Sequence, residues 1–289
     1  MKIEWHRSVF KPIIFAGRRY IIKRDDLLQP IGGNKSRKLY HLSQQNLSSI
    51  DRIVSYGGAQ SNAMWALSQF CKLKSINFDY YTRTVPHWLR QNPNGNLAAA
   101  LDAGMTWHIT QSGLPPKPIA TGSLLIPQGL SMPEAELGIK KLANEISDYC
   151  EAEKIPDAAI VLPSGTGATA LYLQQNLPHT VYTVPCIGDE KTLSQLFLQL
   201  LPNAKRYPVI INNQPFKAFR FGEPHAQLLA MYQTLLDTTG IEFELLYDAK
   251  TWLNLVNWQQ DKPIIYLHNG GTSGNASMLA RYRRLGLLD

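Results

Sequence analysis

The chain has 289 residues, of which 44% are apolar, 18% charged and 10% aromatic. That length suits one large or two medium domains with a sizeable core, and the ordinary apolar content excludes disorder as the dominant state. Lys and Arg number 29 against 22 Asp and Glu, a net charge of +7. The cations are scattered with no aromatic–basic RNA signature, which points to an anionic small molecule and away from nucleic acid.

In chain order, Ile13–Phe15 and Tyr20–Lys23 flank Ala16-Gly17 and predict a hairpin. A Gly pair at 32–33 opens a helix. A strand over 52–56 leads into a helix over 61–72; strand 76–81, helix 96–103 and strand 106–109 follow. Residues 133–153 predict a long helix, with Pro133 near its start and acids in its first turn. Then come strand 159–162, helix 168–175, strand 181–185, helix 192–201 and strand 209–211. Helices over 224–239 and 251–258, strand 264–268 and helix 273–284 close the chain. This alternation predicts an α/β class with largely parallel sheets, whose ligands collect where strand ends meet helix starts.

Cys71, Cys150 and Cys186 lie far apart with no CxxC pair. They are expected to be buried thiols in a reducing cytoplasm, with no disulfide framework and no structural zinc. No run of about eighteen apolar residues is present, so no membrane helix is expected. The opening MKIEWHRSVFKPIIF has charge on both sides of a short apolar stretch, which points away from a signal peptide.

Gly-containing turns stand at the junctions. In PSGTGAT (163–169) a strand runs through Gly165 and Gly167 into a helix, whose start offers free N–H groups to an anion. Ser164, Thr166 and Thr169 add hydroxyls. The turn fits a phosphate cradle. It also fits a dinucleotide fingerprint ending at Ala170, with Asp189 about 20 residues on, or an ordinary tight turn. In IGGNKSRKL (31–39), Lys35 follows the Gly pair without the spacing of a Walker A loop. Partial burial there would lower its pKa and suit Schiff-base chemistry, although a lone Lys is most often a solvated charge. In GGAQSN (57–62), Ser61 and Asn62 are either plain helix caps or groups that capture a carboxylate with the helix-start amides.

IGGNKSRKL, followed 26 residues after its Lys by the Ser-Asn of GGAQSN, resembles the pyridoxal-phosphate enzymes of the aminocyclopropane-carboxylate deaminase and D-cysteine desulfhydrase family. KRDDL (23–27), IPQGLSMPEAELG (126–138), PSGTGAT, LLYDAK (245–250) and YLHNGG (266–271) resemble further segments of that family in the same order. The match spans residues 23–271.

The resemblance implies a two-domain, three-layer parallel-sheet fold of the tryptophan-synthase-β-like type (fold type II). It places a large cofactor domain at 1–43 and 133–289 and a smaller inserted substrate-side domain at 44–132. It implies pyridoxal phosphate as cofactor, a small amino acid as substrate and a homodimer. Lys35 matches the lysine that carries the cofactor, Ser61 the serine beside the substrate and Asn62 the asparagine near the ring hydroxyl. Ser164, Gly165, Thr166, Gly167 and Thr169 match the phosphate loop. Tyr247 matches a catalytic tyrosine, and Asp248 the residue facing the pyridine nitrogen.

Where the deaminases carry a second tyrosine, this chain has Phe221, placed on the substrate side. Ala63 and Asn269 also depart from the family pattern. The resulting expectation is β-elimination of the D-cysteine type, giving a 2-oxo acid and ammonia. Ring opening of aminocyclopropane carboxylate is the alternative within the family. Outside it stand a nicotinamide-dependent oxidoreductase using the 165–170 turn and a non-catalytic ligand-binding relative.

Overall fold

The computed structural model describes residues 1–212 and 220–288. Among them, one sheet has six strands and another has four.

The first sheet draws on both ends of the chain. It contains β1 (Phe10–Phe15), β2 (Arg18–Lys23), β7 (Ala159–Ser164), β8 (Thr180–Pro185), β9 (Val209–Ile210) and β10 (Ile264–Leu267), in the order β1-β2-β10-β7-β8-β9. Only the β1–β2 hairpin is antiparallel. The second sheet is wholly parallel. It contains β3 (Arg52–Tyr56), β4 (Asn77–Thr82), β5 (Met105–Ile109) and β6 (Ser123–Leu125), in the order β5-β4-β3-β6.

Strand periodicity explains the layering of the larger sheet, because successive side chains point to opposite faces. Ile21, Ile160, Leu162, Ile265 and Leu267 enter one apolar core. Their neighbours Tyr20, Ile22, Val161, Ile264 and Tyr266 enter another. Helices therefore cover both faces, and β7 and β10 are buried along their whole length, as parallel central strands are. On the first face lie α1 (Asn34–Gln44), α5 (Glu136–Ala152) and α6 (Ala168–Asn176). On the second lie α8 (Ala226–Thr239) and α9 (Tyr247–Leu255).

In α5 the buried residues Ile139, Leu142, Ala143 and Ile146 recur at helical spacing and turn toward α1 and α6. The approach to α1 is backbone-close, since a Cβ on Gly138 would lie 1.9 Å from the Arg37 carbonyl oxygen. The four-stranded sheet carries α2 (Asn62–Lys74) and α4 (Gly95–Asp102). The remaining helices are α3 (His87–Gln91), α7 (Glu190–Leu200) and α10 (Asn275–Arg284).

Strands and helices agree with the sequence expectation to within a few residues, with one correction. The helix expected over 251–258 begins four residues earlier, at Tyr247. The Glu244 carboxyl accepts from the backbone N–H groups of Leu246 (2.8 Å) and Tyr247, and so starts the helix there. The three-residue β6 and five-residue α3 were not expected; both are too short to show a period. The three cysteines are buried and unpaired. Among the described residues no helix is long and apolar enough to cross a membrane.

A buried ion network pins α1. Arg37, fully buried, forms paired bonds to Asp25 (2.6 and 2.9 Å) and to Glu145 of α5 (2.7 and 2.8 Å). Lys23, at the end of β2, pairs with Glu145 at 2.8 Å. Ser8 donates to Asp25 at 2.5 Å. Burial alone would raise the Asp25 carboxyl, yet the Arg37 guanidinium holds it below its ordinary value. Arg37→Met leaves the Asp25 carboxylate buried without its guanidinium and should cost about 3–5 kcal/mol at neutral pH, read from urea unfolding. A loss under 1 kcal/mol would show that the network does not hold α1.

Candidate active site

The site lies at the carboxyl ends of the parallel strands. The chain leaves β10 through His268, Asn269 and the Gly270-Gly271 pair, and there it meets the Gly32-Gly33 pair that precedes α1. Asn34 N–H donates to the Asn269 carbonyl at 2.9 Å. Gly33 has φ +74°, and a Cβ on it would lie 1.9 Å from that same carbonyl oxygen. Only glycine allows this contact. Lys35, the second residue of α1, is thereby set beside the end of β10.

Lys35 Nζ donates to Asn34 Oδ1 at 2.8 Å, and Asn34 Nδ2 donates to Thr169 Oγ1 at 3.3 Å. One amide thus links the amine to the 164–169 turn. Burial pushes the Lys35 amine down to about 8.

The turn joins β7 to α6, with Gly167 as the N-cap. The first amides of α6 lack intrahelical partners. Thr169 is buried at their side. Ser164 is buried as well, and its Oγ accepts from Thr183 Oγ1 at 2.6 Å, which binds it into the neighbouring strand. Thr166 packs its methyl against Gly129. The Gly129 carbonyl accepts from Lys38 Nζ at 3.0 Å. Lys38 is a buried amine on the cavity wall that sequence reading missed. Burial, then repulsion from Lys35, pushes its amine well below the ordinary value. The available signal was its spacing of three from Lys35, which puts both on one helical face.

Across the cavity, Ser61 caps α2. Its Oγ accepts from the N–H groups of Ala63 (3.2 Å) and Met64 (3.4 Å). The capping and cavity-facing readings hold together, because Ser61 also lines the cavity. Asn62 Oδ1 accepts from Asn96 Nδ2 at 2.8 Å. Two acceptors on the wall, Gln60 Oε1 and Asn269 Oδ1, are buried with no partner among the described residues.

Tyr247 and Asp248 stand in the first turn of α9. Burial, then the nearby Glu244, pushes the Tyr247 phenol well above its ordinary value, so it keeps its proton. Phe221 meets the Tyr247 ring edge-on at 5.1 Å between centroids. Asp248 Oδ1 accepts from Tyr266 at 2.6 Å, and Oδ2 accepts from the Glu244 N–H at 2.9 Å. Burial raises its pKa, against the pull of His268. Glu244, absent from the sequence reading, is buried on the same wall, and burial raises its carboxyl to about 8.

The site residues singled out through the family resemblance, from Lys35 to Asp248, all line one cavity of about 620 Å³. Asp189, considered as a ribose partner, does not. It caps α7, with Oδ1 accepting from Thr192 N–H at 2.8 Å. Among the described residues no cluster of His, Cys, Asp or Glu is arranged to hold a metal ion.

No family model and no curated protein matches the chain. Solved structures do. An ACC deaminase homologue superposes with a TM-score of 0.77 at 19% identity, covering 98% of this chain and 94% of that one. The chain has the tryptophan-synthase-β-like fold. A fungal L-serine ammonia-lyase from Rhizomucor miehei superposes at TM-score 0.64 and 13% identity, covering 96% of this chain and 98% of that one. A hydrogen sulfide-producing enzyme from Fusobacterium nucleatum gives TM-score 0.61 at 11% identity, over 92% of this chain and 96% of that one.

The raised Glu244 carboxyl has a measurable consequence. Between about pH 4.5 and 8 the folded state keeps a proton that the unfolded chain has lost, so stability falls as pH rises through that window. Lys35 acts in the opposite sense between about pH 8 and 10.5, where stability rises with pH. Glu244→Gln keeps the helix-capping oxygen and removes the proton. It should flatten the fall in Tm of the cofactor-free protein by a few °C between pH 4.5 and 8. An unchanged slope would place the titration elsewhere.

Proposed function

We propose that this protein is a pyridoxal-phosphate-dependent lyase that deaminates a small amino acid bearing a leaving group on Cβ. The observation that carries the proposal is the pairing, in one cavity, of a Lys35 amine pushed down to about 8 with a glycine turn that opens a helix. The residues present fit the cofactor. The first amides of α6 and the Thr169 hydroxyl suit its phosphate, and the buried Lys38 amine, which a bound anion would draw back toward its charged form, stands on the same cavity wall. Lys35 supplies the amine that binds its aldehyde.

For the ring nitrogen we assign Asn269, whose Oδ1 lacks a partner among the described residues, with Asp248 on the same cavity wall. Both Asp248 oxygens already accept hydrogen bonds. When bound, the cofactor provides an electron sink for charge developing at the substrate Cα.

The chain's own groups then divide the remaining work. The Ser61 hydroxyl and the α2 amides bind the substrate carboxylate. Lys35, whose amine gives up its proton far more readily than an ordinary lysine, takes the Cα proton. Tyr247 holds its proton and donates it to the departing group. The products are a 2-oxo acid and ammonia, with sulfide in addition when D-cysteine is the substrate. Phe221 disfavours aminocyclopropane ring opening, because the position facing Tyr247 has no hydroxyl. The residue 44–132 segment, which holds the whole four-stranded sheet, we take as the substrate-side lobe of a cytoplasmic homodimer.

Purified protein should show a visible absorbance that borohydride abolishes and that Lys35→Ala lacks. A chain that takes up no cofactor would end the proposal. Tyr247→Phe should lower kcat on the true substrate by about 10²-fold with little change in KM. Unchanged turnover would remove Tyr247 from the chemistry.

A further inference from the structure

The outer wall of the cavity carries a cationic pair that the lyase chemistry does not use. Arg281 and Arg284 stand three apart on α10, hence on one helical face, and both line the cavity. Cations near a helix C-terminus also complement its dipole, which accounts for a basic last turn but not for two guanidinium groups turned to one cavity.

Each group is held in place by a contact that leaves charge unspent. Arg281 Nη1 donates to the Gly222 carbonyl and contacts Met278 Sδ at 3.6 Å. Its Nε and Nη2 have no hydrogen-bond partner among the described residues. Arg284 lies over the Trp88 ring, with its guanidinium carbon 4.6 Å from the centroid. Trp88 belongs to α3, in the segment that carries the four-stranded sheet, so the pair bridges the two sides of the cavity mouth. Neither arginine is in an ion pair among the described residues, and the nearby Glu223 carboxylate faces Arg220 at 3.7 Å. Burial, then repulsion from Arg284, lowers the Arg281 pKa, against the pull of Glu223. An anion between the two would relieve that repulsion.

The pair is also well placed relative to the reacting groups. Gly222, which Arg281 grips, directly follows Phe221, and Phe221 touches Tyr247. A substrate held at Ser61 and Lys35 would share one cavity with the arginines.

We infer that the preferred substrate is an amino acid whose side chain ends in an oxyanion, clasped by Arg281 and Arg284. This rests on the lyase proposal and deepens it: the arginine pair selects a charged side-chain terminus over the thiol of D-cysteine. Planar guanidinium forks match carboxylate, sulfonate or phosphate oxygens.

The test is calorimetric titration of the protein as purified, with both enantiomers of aspartate against asparagine and of phosphoserine against serine. In each pair the members differ in the terminal charge. The charged member of at least one pair should bind about tenfold tighter or better, and the advantage should shrink as salt is added. Arg284→Gln, at the arginine that lies over Trp88, should remove most of that advantage, and Arg281→Gln with Arg284→Gln all of it. Equal affinities within both pairs would overturn the inference, as would an advantage that survives the double substitution. Survival would assign the anion to the 164–169 turn instead. Cofactor absorbance is read on the same samples. Protein without cofactor would defeat the lyase proposal, whereas protein with cofactor and no charge preference would defeat only the arginine pair.

Discussion

Where α1 begins decides almost everything at the site, and the Arg37 network holds it there. A guanidinium buried alone would be prohibitively costly. Here it is offset by two paired carboxylates, one from the loop after β2 and one from α5, with Lys23 balancing the second. The Asp25 carbonyl also accepts from the Gly33 N–H at 2.8 Å, so one residue ties down both the side chain of α1 and the backbone that enters it. Helical geometry does the rest. Residues two apart point about 200° away from each other, so Arg37 turned inward leaves Lys35 turned toward the cavity.

The second constraint is closeness of backbone. The Gly33 and Gly270 turns touch main chain to main chain, which draws the end of β10 against the start of α1. Lys35, Lys38, Glu244 and Asp248 line one space beside that contact. Burial penalises charge whatever its sign, so the lysines shift down and the carboxyls shift up. Burial thus works against charge on amines and carboxyls alike around this cavity. Such groups are suited to passing a proton, and an incoming anion can re-charge the amines. The rim differs: half-buried Arg281 and exposed Arg284 stand more open to solvent than this inner group.

Much of this was legible in the chain. Strands over Arg52–Tyr56 and helices such as Ala168–Asn176 follow from periodicity, and the glycine turns announce the strand ends. Tyr247, Ser61 and the 164–169 turn were all expected at one place, and one cavity holds them. Lys38 and Glu244 were not expected. A lysine three residues after another looks like any solvated pair, and a glutamate before a helix looks like a cap. Their importance comes from burial, which no local pattern states. Nor does the sequence reveal that Arg284 meets Trp88, which lies almost 200 residues earlier.

The sequence by itself determined the alternation of elements, the glycines at the junctions and the residue types available for chemistry, because these follow from local sterics and short-range periodicity. Only the tertiary structure decided which of these groups share a cavity, which are deprived of water and which face an unpaired partner. Those properties depend on packing between segments far apart in the chain, and solvent exclusion belongs to the assembled fold and to no single residue.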